Sequence, residues 1–406
     1  MDNTNKPLQE QNIINKTLSK TVLPVKDVVI DTVDLLQQDG ELVRGKGMAS
    51  GVLALSLAIL SFLGVLAFHF PQYLTTPELR QQYNVEVIRQ IMFAALIVAG
   101  GWSLFNIILN RTRKTNIAAF LLVLATVILG GSRVPVGQFA DNTPYLGLDW
   151  FILDLLGSAF IFILLEKLFP LYKGQNIFRK SWQTDMVYFI FNHLLIGFML
   201  LVVNYIIHNV FGLLVKNELQ AMIQSIWFVP QLLLCVFVAD FVEYWTHRSY
   251  HEVPFLWRYH SVHHSSKEMD WIAGSRIHIM EIIATRVLIL GALYILGFSK
   301  TVLDAYIIIV GFQAVFNHAN VHFKWGFFRY IFVTPDFHHW HHSSDKEAID
   351  KNYAAHFSFI DYMFKTAVDS DKQFPEKYGV VGSYVPDGFF AQQMYPFKRK
   401  KKKKVA

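Results

Sequence analysis

Asp240-Phe-Val-Glu-Tyr-Trp-Thr-His247-Arg-Ser-Tyr-His251 closes an apolar run that begins near residue 225. His247 and His251 form the first of four histidine boxes. The others are His260-Ser-Val-His263-His264-Ser-Ser, Asn317-His318-Ala-Asn-Val-His322 and His338-His-Trp-His341-His342-Ser-Ser. Two boxes have the form H-x3-H and two the form H-x2-H-H. A helix has 3.6 residues per turn, so positions i, i+3 and i+4 share a face. Each box can therefore aim two or three ring nitrogens at a common point. Imidazole suits iron, copper, zinc or nickel, and ten imidazoles exceed what one ion binds. Two metals with about five ligands each would use the full set.

The rest of the chain places these boxes in a membrane. Of 406 residues, 53% are hydrophobic and 17% charged; soluble domains carry about 25% charged residues. Six apolar segments lie near 48–70, 91–110, 116–132, 150–170, 187–215 and 225–246, and two shorter ones near 282–298 and 303–317. A helix needs about 20 residues to cross a bilayer. The first six read as spans, and the last two as short spans or a hairpin that enters and returns. The expected fold is an all-α integral membrane protein of six to eight transmembrane or re-entrant helices, capped by a histidine-rich di-metal site. The single Cys235 excludes a disulfide framework, a zinc ribbon and a cysteine-held iron–sulfur cluster. Residues 1–47 are polar and lack the apolar core of a signal peptide, so the run from Met48 reads as an uncleaved anchor.

Lys and Arg in short loops orient such a chain. Arg111, Arg113 and Lys114 mark one loop, and Lys173, Arg179 and Lys180 another. The intervening loops hold only Arg133 and Lys216; Arg80 and Arg89 fit the alternation less well. The count places both termini and all four boxes on the cytoplasmic side. The membrane would be a bacterial inner membrane or, in a eukaryote, the endoplasmic reticulum. The basic run Lys398–Lys404 reads as a solvated tail or as attraction to anionic headgroups. Nucleic acid is not an expected partner of a chain embedded in lipid. The chain divides into a polar segment 1–47, a transmembrane anchor region 48–224, a catalytic region 225–375 and a C-terminal segment 376–406.

Thirteen of sixteen histidines fall between His247 and His356. His69, His193 and His208 stand alone in apolar segments and read as packed structural residues. A haem held by a pair such as His193 and His208 is one rival reading. A metal transporter is another, but its ligands should lie inside the spans near the midplane, whereas the boxes sit at span ends. His278 and His356 lie outside the boxes. On a helix His339 points about 100° away from His338 and is not read as a ligand. An all-nitrogen shell leaves metal charge uncompensated. Asp240, Glu243, Glu281 and Asp336 are candidates to orient the rings through their free N–H groups.

In this order and spacing the boxes resemble those of the sterol desaturase and fatty acid hydroxylase superfamily. Phe255-Leu-Trp-Arg-Tyr-His260-Ser-Val-His263-His264 and Thr334-Pro-Asp-Phe-His338-His-Trp-His341-His342 are similar to its signatures. The long anchor resembles its alkylglycerol monooxygenase-like and bacterial sterol-desaturase-like members. The resemblance implies a non-haem di-iron centre that activates O2. Its ligands would be His247, His251, His260, His263, His264, His318, His322, His338, His341 and His342. It further implies hydroxylation of a C–H bond in a fatty acyl, sterol or ether lipid drawn from the bilayer, with desaturation as the alternative outcome at the same site. Zinc can take the place of iron on purification. The stretch Asn352-Tyr-Ala-Ala-His356 to Asp361-Tyr-Met-Phe-Lys-Thr366 is similar to an Asn-Tyr-Gly … Trp-Asp … Phe-Gly-Thr signature, with Ala354, Ile360 and Lys365 departing from it. No His-Pro-Gly-Gly and no G-x-G-x-x-G after a strand is present. Electrons would then come from a separate donor: a cytochrome b5-like or ferredoxin-like carrier, or a reductase.

Overall fold

The computed structural model describes residues 48–80, 82–109, 114–138, 145–368, 374–375, 377–382 and 384–398. The segment 1–47, Arg111, Arg113 and the basic run beyond Lys398 lie outside the described residues. Among those described, the chain is helical, with no strand and two isolated bridges, Pro170 to Val321 and Ser343 to Tyr378.

The chain forms two compact units. The first, residues 1–143 with 176–178, contains α1 (Met48–His69), α2 (Val85–Leu109) and α3 (Lys114–Ile128). Lipid tails are as apolar as leucine, so helices in a bilayer associate through close packing and polar contacts. Small residues supply the close packing here: Ala54, Ala58, Ala99 and Ala119 are fully buried where α1 meets α2 and α3. A Cβ added at Gly51 would come within 3.0 Å of the Asn116 side chain. Asn106 donates to Asn116 at 3.1 Å in the same core. Arg89 is a structural residue rather than a free loop charge, because it donates to the carbonyls of Ser132 and Val134, each at 2.8 Å. His69 is tied to the Leu129 carbonyl at 2.8 Å, as a packed histidine should be.

The second unit comprises residues 144–175 and 179–406. Its longer helices are α4 (Leu148–Leu168), α5 (Trp182–Leu194), α6 (Ile196–Phe211), α7 (Asn217–Gln224), α8 (Phe228–Glu252), α9 (Pro254–His260), α10 (Ile279–Leu296) and α11 (Lys300–His318). Shorter ones are α12 (Pro335–His341), α13 (Phe359–Phe364) and α14 (Phe389–Met394). Among the described residues, six helices are long and apolar enough to cross a membrane: α2, α3 with its extension to Arg133, α4, α8, α10 and α11. The protein is thus a multi-pass membrane protein. Outward faces carry bare apolar side chains, such as Phe160 at 75% and Ile308 at 68% exposure, which lipid would cover.

Two segments differ from the sequence expectation. The run 187–215 is not one straight helix: α5 and α6 meet at Leu195 (φ −95°, ψ 0°) and bend by 56°. The two short runs after the second box become α10, with 18 residues, and α11, with 19. Their helices start before the apolar run does, at Ile279 and Lys300. At 1.5 Å per residue each spans about 27 Å or slightly more, close to the hydrocarbon thickness of about 30 Å.

Helix α8 packs against α10 and α11 around Cys235, Ala239, Tyr244, Leu293 and Val302. Two buried carboxylates then fold the segment after the last box against this bundle. Asp240 accepts from the backbone N–H groups of Ala355 (2.8 Å), His356 (3.1 Å) and Phe357 (2.6 Å). Asp361 accepts from those of Tyr353 and Ala354, both at 2.8 Å, and from the Thr366 hydroxyl at 2.7 Å. Asn352 turns the chain at φ 58°, a left-handed conformation that Asn tolerates better than most residues. Its side chain donates to the Phe337 carbonyl at 2.9 Å and accepts from Val368 N–H at 2.7 Å.

Candidate metal centre

The boxes gather at one end of α8 and α11. Nine of the ten expected histidines form two groups. His247, His251, His260, His264 and His341 make one; His263, His318, His338 and His342 make the other. Within each group one nitrogen per ring lies within 4.8 Å of all the others. The rings of His264 and His342 stack at 4.4 Å across the boundary, so the groups share a wall.

The groups do not follow the boxes. The last two histidines of H-x2-H-H are neighbours in sequence and, on a helix, point about 100° apart, while the first and last differ by about 40°. Helix α9 ends at His260, but Ser261 and Val262 keep helical angles, so His260 and His264 still aim at one point and His263 at another. His338 and His342 serve the second group, and His341 crosses to the first. His263 and His341 are the exchanged histidines that interlock the two groups.

His322 is in neither group. Helix α11 ends at His318, and Ala319 is extended (φ −62°, ψ 142°). The chain then pairs with the end of α4: Leu171 N–H donates to the Asn320 carbonyl and His322 N–H to that of Phe169, at 3.2 and 2.9 Å. The i, i+4 geometry that H-x3-H presumes is lost there. The His322 ring instead faces Asp336, with Nδ1 3.0 Å from the carboxylate, and is 39% exposed.

In six of the nine rings the other nitrogen has a partner that fixes the ring's orientation. Nδ1 donates to a backbone carbonyl in His247 (Tyr353, 2.7 Å), His263 (Arg276, 3.1 Å), His318 (Ala314, 2.7 Å) and His341 (Lys351, 2.7 Å). His260 Nδ1 lies 2.6 Å from Glu281 Oε1, and His251 Nδ1 lies 3.3 Å from Asp350 Oδ1. Of the four acids expected to orient rings, Glu281 does so inside a group. Asp336 holds His322, Asp240 holds backbone, and Glu243 has Asp240 and Arg286 as charged neighbours. The backbone acceptors have no signature in the sequence. Asp361 and Asn352 had one, in the Asn352…Asp361…Thr366 stretch.

These contacts test whether a cation fits. A carbonyl only accepts, so a ring that donates through Nδ1 and is neutral keeps a bare lone pair at Nε2. His263 and His318 are both of this kind, and their Nε2 atoms lie 3.2 Å apart with no proton to share. The Nε2 atoms of His251 and His341 are buried without a hydrogen-bond partner. Converging lone pairs of this sort repel one another unless a metal ion lies among them. The donor set fits a borderline transition metal.

The remaining histidines other than His356 have partners for their side chains. Two carbonyl acceptors, of His318 and Ala319, face His339 Nε2 at 3.2 and 3.1 Å, and Tyr378 hydroxyl donates to its Nδ1 at 2.6 Å. The His278 side chain caps α10 by accepting from Met280 N–H at 3.1 Å. His193 is paired with Asp154 at 2.6 Å and His208 with Tyr294 at 3.0 Å, so each ring of the suggested haem pair has its own partner.

Burial, followed by the repulsion of neighbouring rings, holds His260, His263, His264, His338, His341 and His342 well below the ordinary imidazole range. Burial also takes His339 to about 3 and His356 to about 4. Unfolded imidazoles titrate near 6.5. A folded value below that means neutral rings stabilise the fold above about pH 6.5, and this stabilisation is lost as pH falls toward the folded values. Metal-free protein should therefore show a falling unfolding temperature from about pH 6.5 down to about pH 4. A flat profile in thermal scans over that range would contradict the neutral, buried state of the rings.

A membrane protein with two adjoining all-histidine groups, each able to hold a metal ion, at its helix ends is the class this geometry defines. Comparison with known proteins shows what it is similar to. A family model described as fatty acid hydroxylase matches residues 232–366, which contain all four boxes. The histidine-box region is thus similar to this family. An ornithine lipid hydroxylase of Rhizobium tropici is 31% identical over 175 residues, covering 43% of this chain and 53% of that protein. Human alkylglycerol monooxygenase is 29% identical over 134 residues, covering 31% of this chain and 28% of that one. Methylsterol monooxygenase 1-2 of Arabidopsis thaliana is 26% identical over 152 residues, covering 37% and 50%. The chain thus spans about half the length of the first and third relatives and under a third of the second. No solved structure matches.

Proposed function

We propose that the protein is a membrane-bound, O2-dependent lipid hydroxylase with two iron ions, one in each histidine group. The observation that carries this is the pair of adjoining groups, five and four rings, with Nε2 lone pairs turned inward. When bound, iron supplies the activation of O2 and the abstraction of hydrogen from an unactivated C–H bond. The overall change consumes the lipid, O2, two electrons and two protons and yields the hydroxylated lipid and water.

The chain's own residues have three tasks in this reading. Nδ1 contacts to carbonyls, to Glu281 and to Asp350 hold six of the nine rings so that each offers Nε2. Burial keeps the rings neutral and able to act as ligands. The apolar bundle of α8, α10 and α11 brings a lipid from the bilayer to the site while excluding bulk water. The histidine groups would face the cytoplasm, and a separate soluble or membrane-bound carrier would deliver the electrons.

The relatives support hydroxylation, since they include an ornithine lipid hydroxylase and an alkylglycerol monooxygenase. A lipid of that amphiphilic kind is the proposed substrate class. Iron-loaded protein in lipid nanodiscs, supplied with a chemical reductant, should consume O2 and hydroxylate lipid, and zinc-loaded protein should do neither. Equal O2 consumption by the zinc form would overturn the proposal.

A further inference from the structure

The loop 270–276 joins the second box to α10 and touches two ligands of the four-histidine group. Its Arg276 carbonyl accepts from His263 Nδ1 at 3.1 Å. Its Gly274 lies flat against His318: a Cβ there would sit 2.7 Å from Nδ1 of that ring. Trp271, Ile272 and Ala273 bury the first half of the loop, and polar contacts from α5 and from Arg179 hold the rest. Asp185 accepts from Arg276 Nε at 2.5 Å and from Arg179 Nη2 at 2.6 Å. The same Arg179 nitrogen reaches Asp270 at 2.7 Å, at the other end of the loop. Asn192, two helical turns after Asp185 and so on the same face, donates to the Ser275 carbonyl at 2.9 Å.

All four charged side chains of this network are buried, none more than 3% exposed. Burying two acids and two guanidinium groups costs solvation that apolar residues of similar volume would not, so stability alone is a weak reason for it. What the network does fix is a carbonyl and a bare backbone face against two rings of one group. The five-histidine group is oriented by other atoms: Tyr353 O, Lys351 O, Asp350 and Glu281. Arg179, Asp185 and Asn192 all precede the matched region 232–366.

We infer that Asp185 and Asn192 are positioning residues for the four-histidine group alone, acting through the loop 270–276. The inference rests on reading that group as a metal site. It gives the two halves of the centre separate supports, one of them contributed by a helix outside the histidine-box region.

Metal content per chain, measured on purified full-length protein in two backgrounds, tests this. His341→Ala should leave the retained metal in the four-histidine group, and His263→Ala should leave it in the five-histidine group. Adding Asp185→Asn to His341→Ala should weaken iron binding by about 10–100-fold, the usual effect of losing an orienting partner. Adding it to His263→Ala should change affinity by less than about 3-fold. Gly274→Ala, which crowds His318, should repeat this pattern. If Asp185→Asn does not yield monodisperse protein, Asn192→Ala removes a single neutral hydrogen bond and is judged by the same contrast. Equal losses in both backgrounds, or none in either, would overturn the positioning role. Wild-type protein whose metal content is insensitive to both histidine substitutions would instead overturn the metal reading beneath it.

Discussion

Replacing His263 and His341 together by alanine is expected to abolish O2-dependent lipid oxidation and to remove both metals. The two residues lie in different boxes, 78 positions apart by subtraction of their numbers, yet each completes the group to which the rest of its box does not belong. His341 Nδ1 is fixed by the Lys351 carbonyl and its Nε2 is a buried atom with no partner. His263 faces His318 lone pair to lone pair at 3.2 Å. Removing both takes one ligand from each group and opens a space beside the remaining rings. Loss of a partner that merely orients a ligand costs about 10–100-fold in affinity or activity, so loss of the ligands themselves should exceed about 100-fold. Metal analysis and product assays on the double variant check this. A variant that keeps about two metals and normal turnover would refute the assignment of these rings.

The second large effect lies away from the rings. Asp240→Ala should prevent stable folding of the histidine-box region. Its carboxylate is the acceptor for three consecutive backbone N–H groups, at 355, 356 and 357, inside the helical bundle. Each buried donor left unpaired costs about 1–3 kcal/mol, and the three together rival the total stability of many domains. The damage would spread to the metal groups. The same segment supplies the Tyr353 carbonyl to His247 and the Ala355 carbonyl to Asn317, the residue before His318. Unfolding in detergent should shift far below wild type, or yield should collapse. Asp304→Ala is the contrast, since it breaks only the exposed Lys300–Asp304 pair and should leave the transition in place. Equal behaviour of the two variants would contradict the account of Asp240.

Much of this was legible in the sequence because it rests on short-range helix geometry. Apolar run length marked the helices, and i, i+4 spacing paired His247 with His251 and His260 with His264. The same geometry, applied to adjacent histidines about 100° apart, also accounts for the exchange of His263 and His341. His322 shows where the rule stops: spacing identifies a shared face only while the backbone keeps helical angles, as it does through 261–262 after α9, whereas Ala319 is extended directly after α11 ends at His318. The ends of helices depend on long-range pairing, here between 319–322 and 169–171. The bend at Leu195 has the same character, since an apolar composition is equally suited to one helix or two. Asp185 and Arg276 were visible only as polar residues among apolar ones, and Asp240 only as a candidate to orient rings, not as the backbone acceptor it is. Their partners are backbone atoms and side chains up to about a hundred residues away, and a sequence carries no local mark of those.

The most direct measurement is oxygen-18 incorporation. Membranes containing the protein, an electron donor and native lipid are exposed to oxygen-18 gas, and the lipids are examined by mass spectrometry. The account predicts a lipid that gains one oxygen-18 atom per turnover, with no label when His263 and His341 are replaced by alanine. A labelled lipid that persists in the double variant, or no labelled lipid in iron-replete wild-type membranes supplied with electrons, would contradict it.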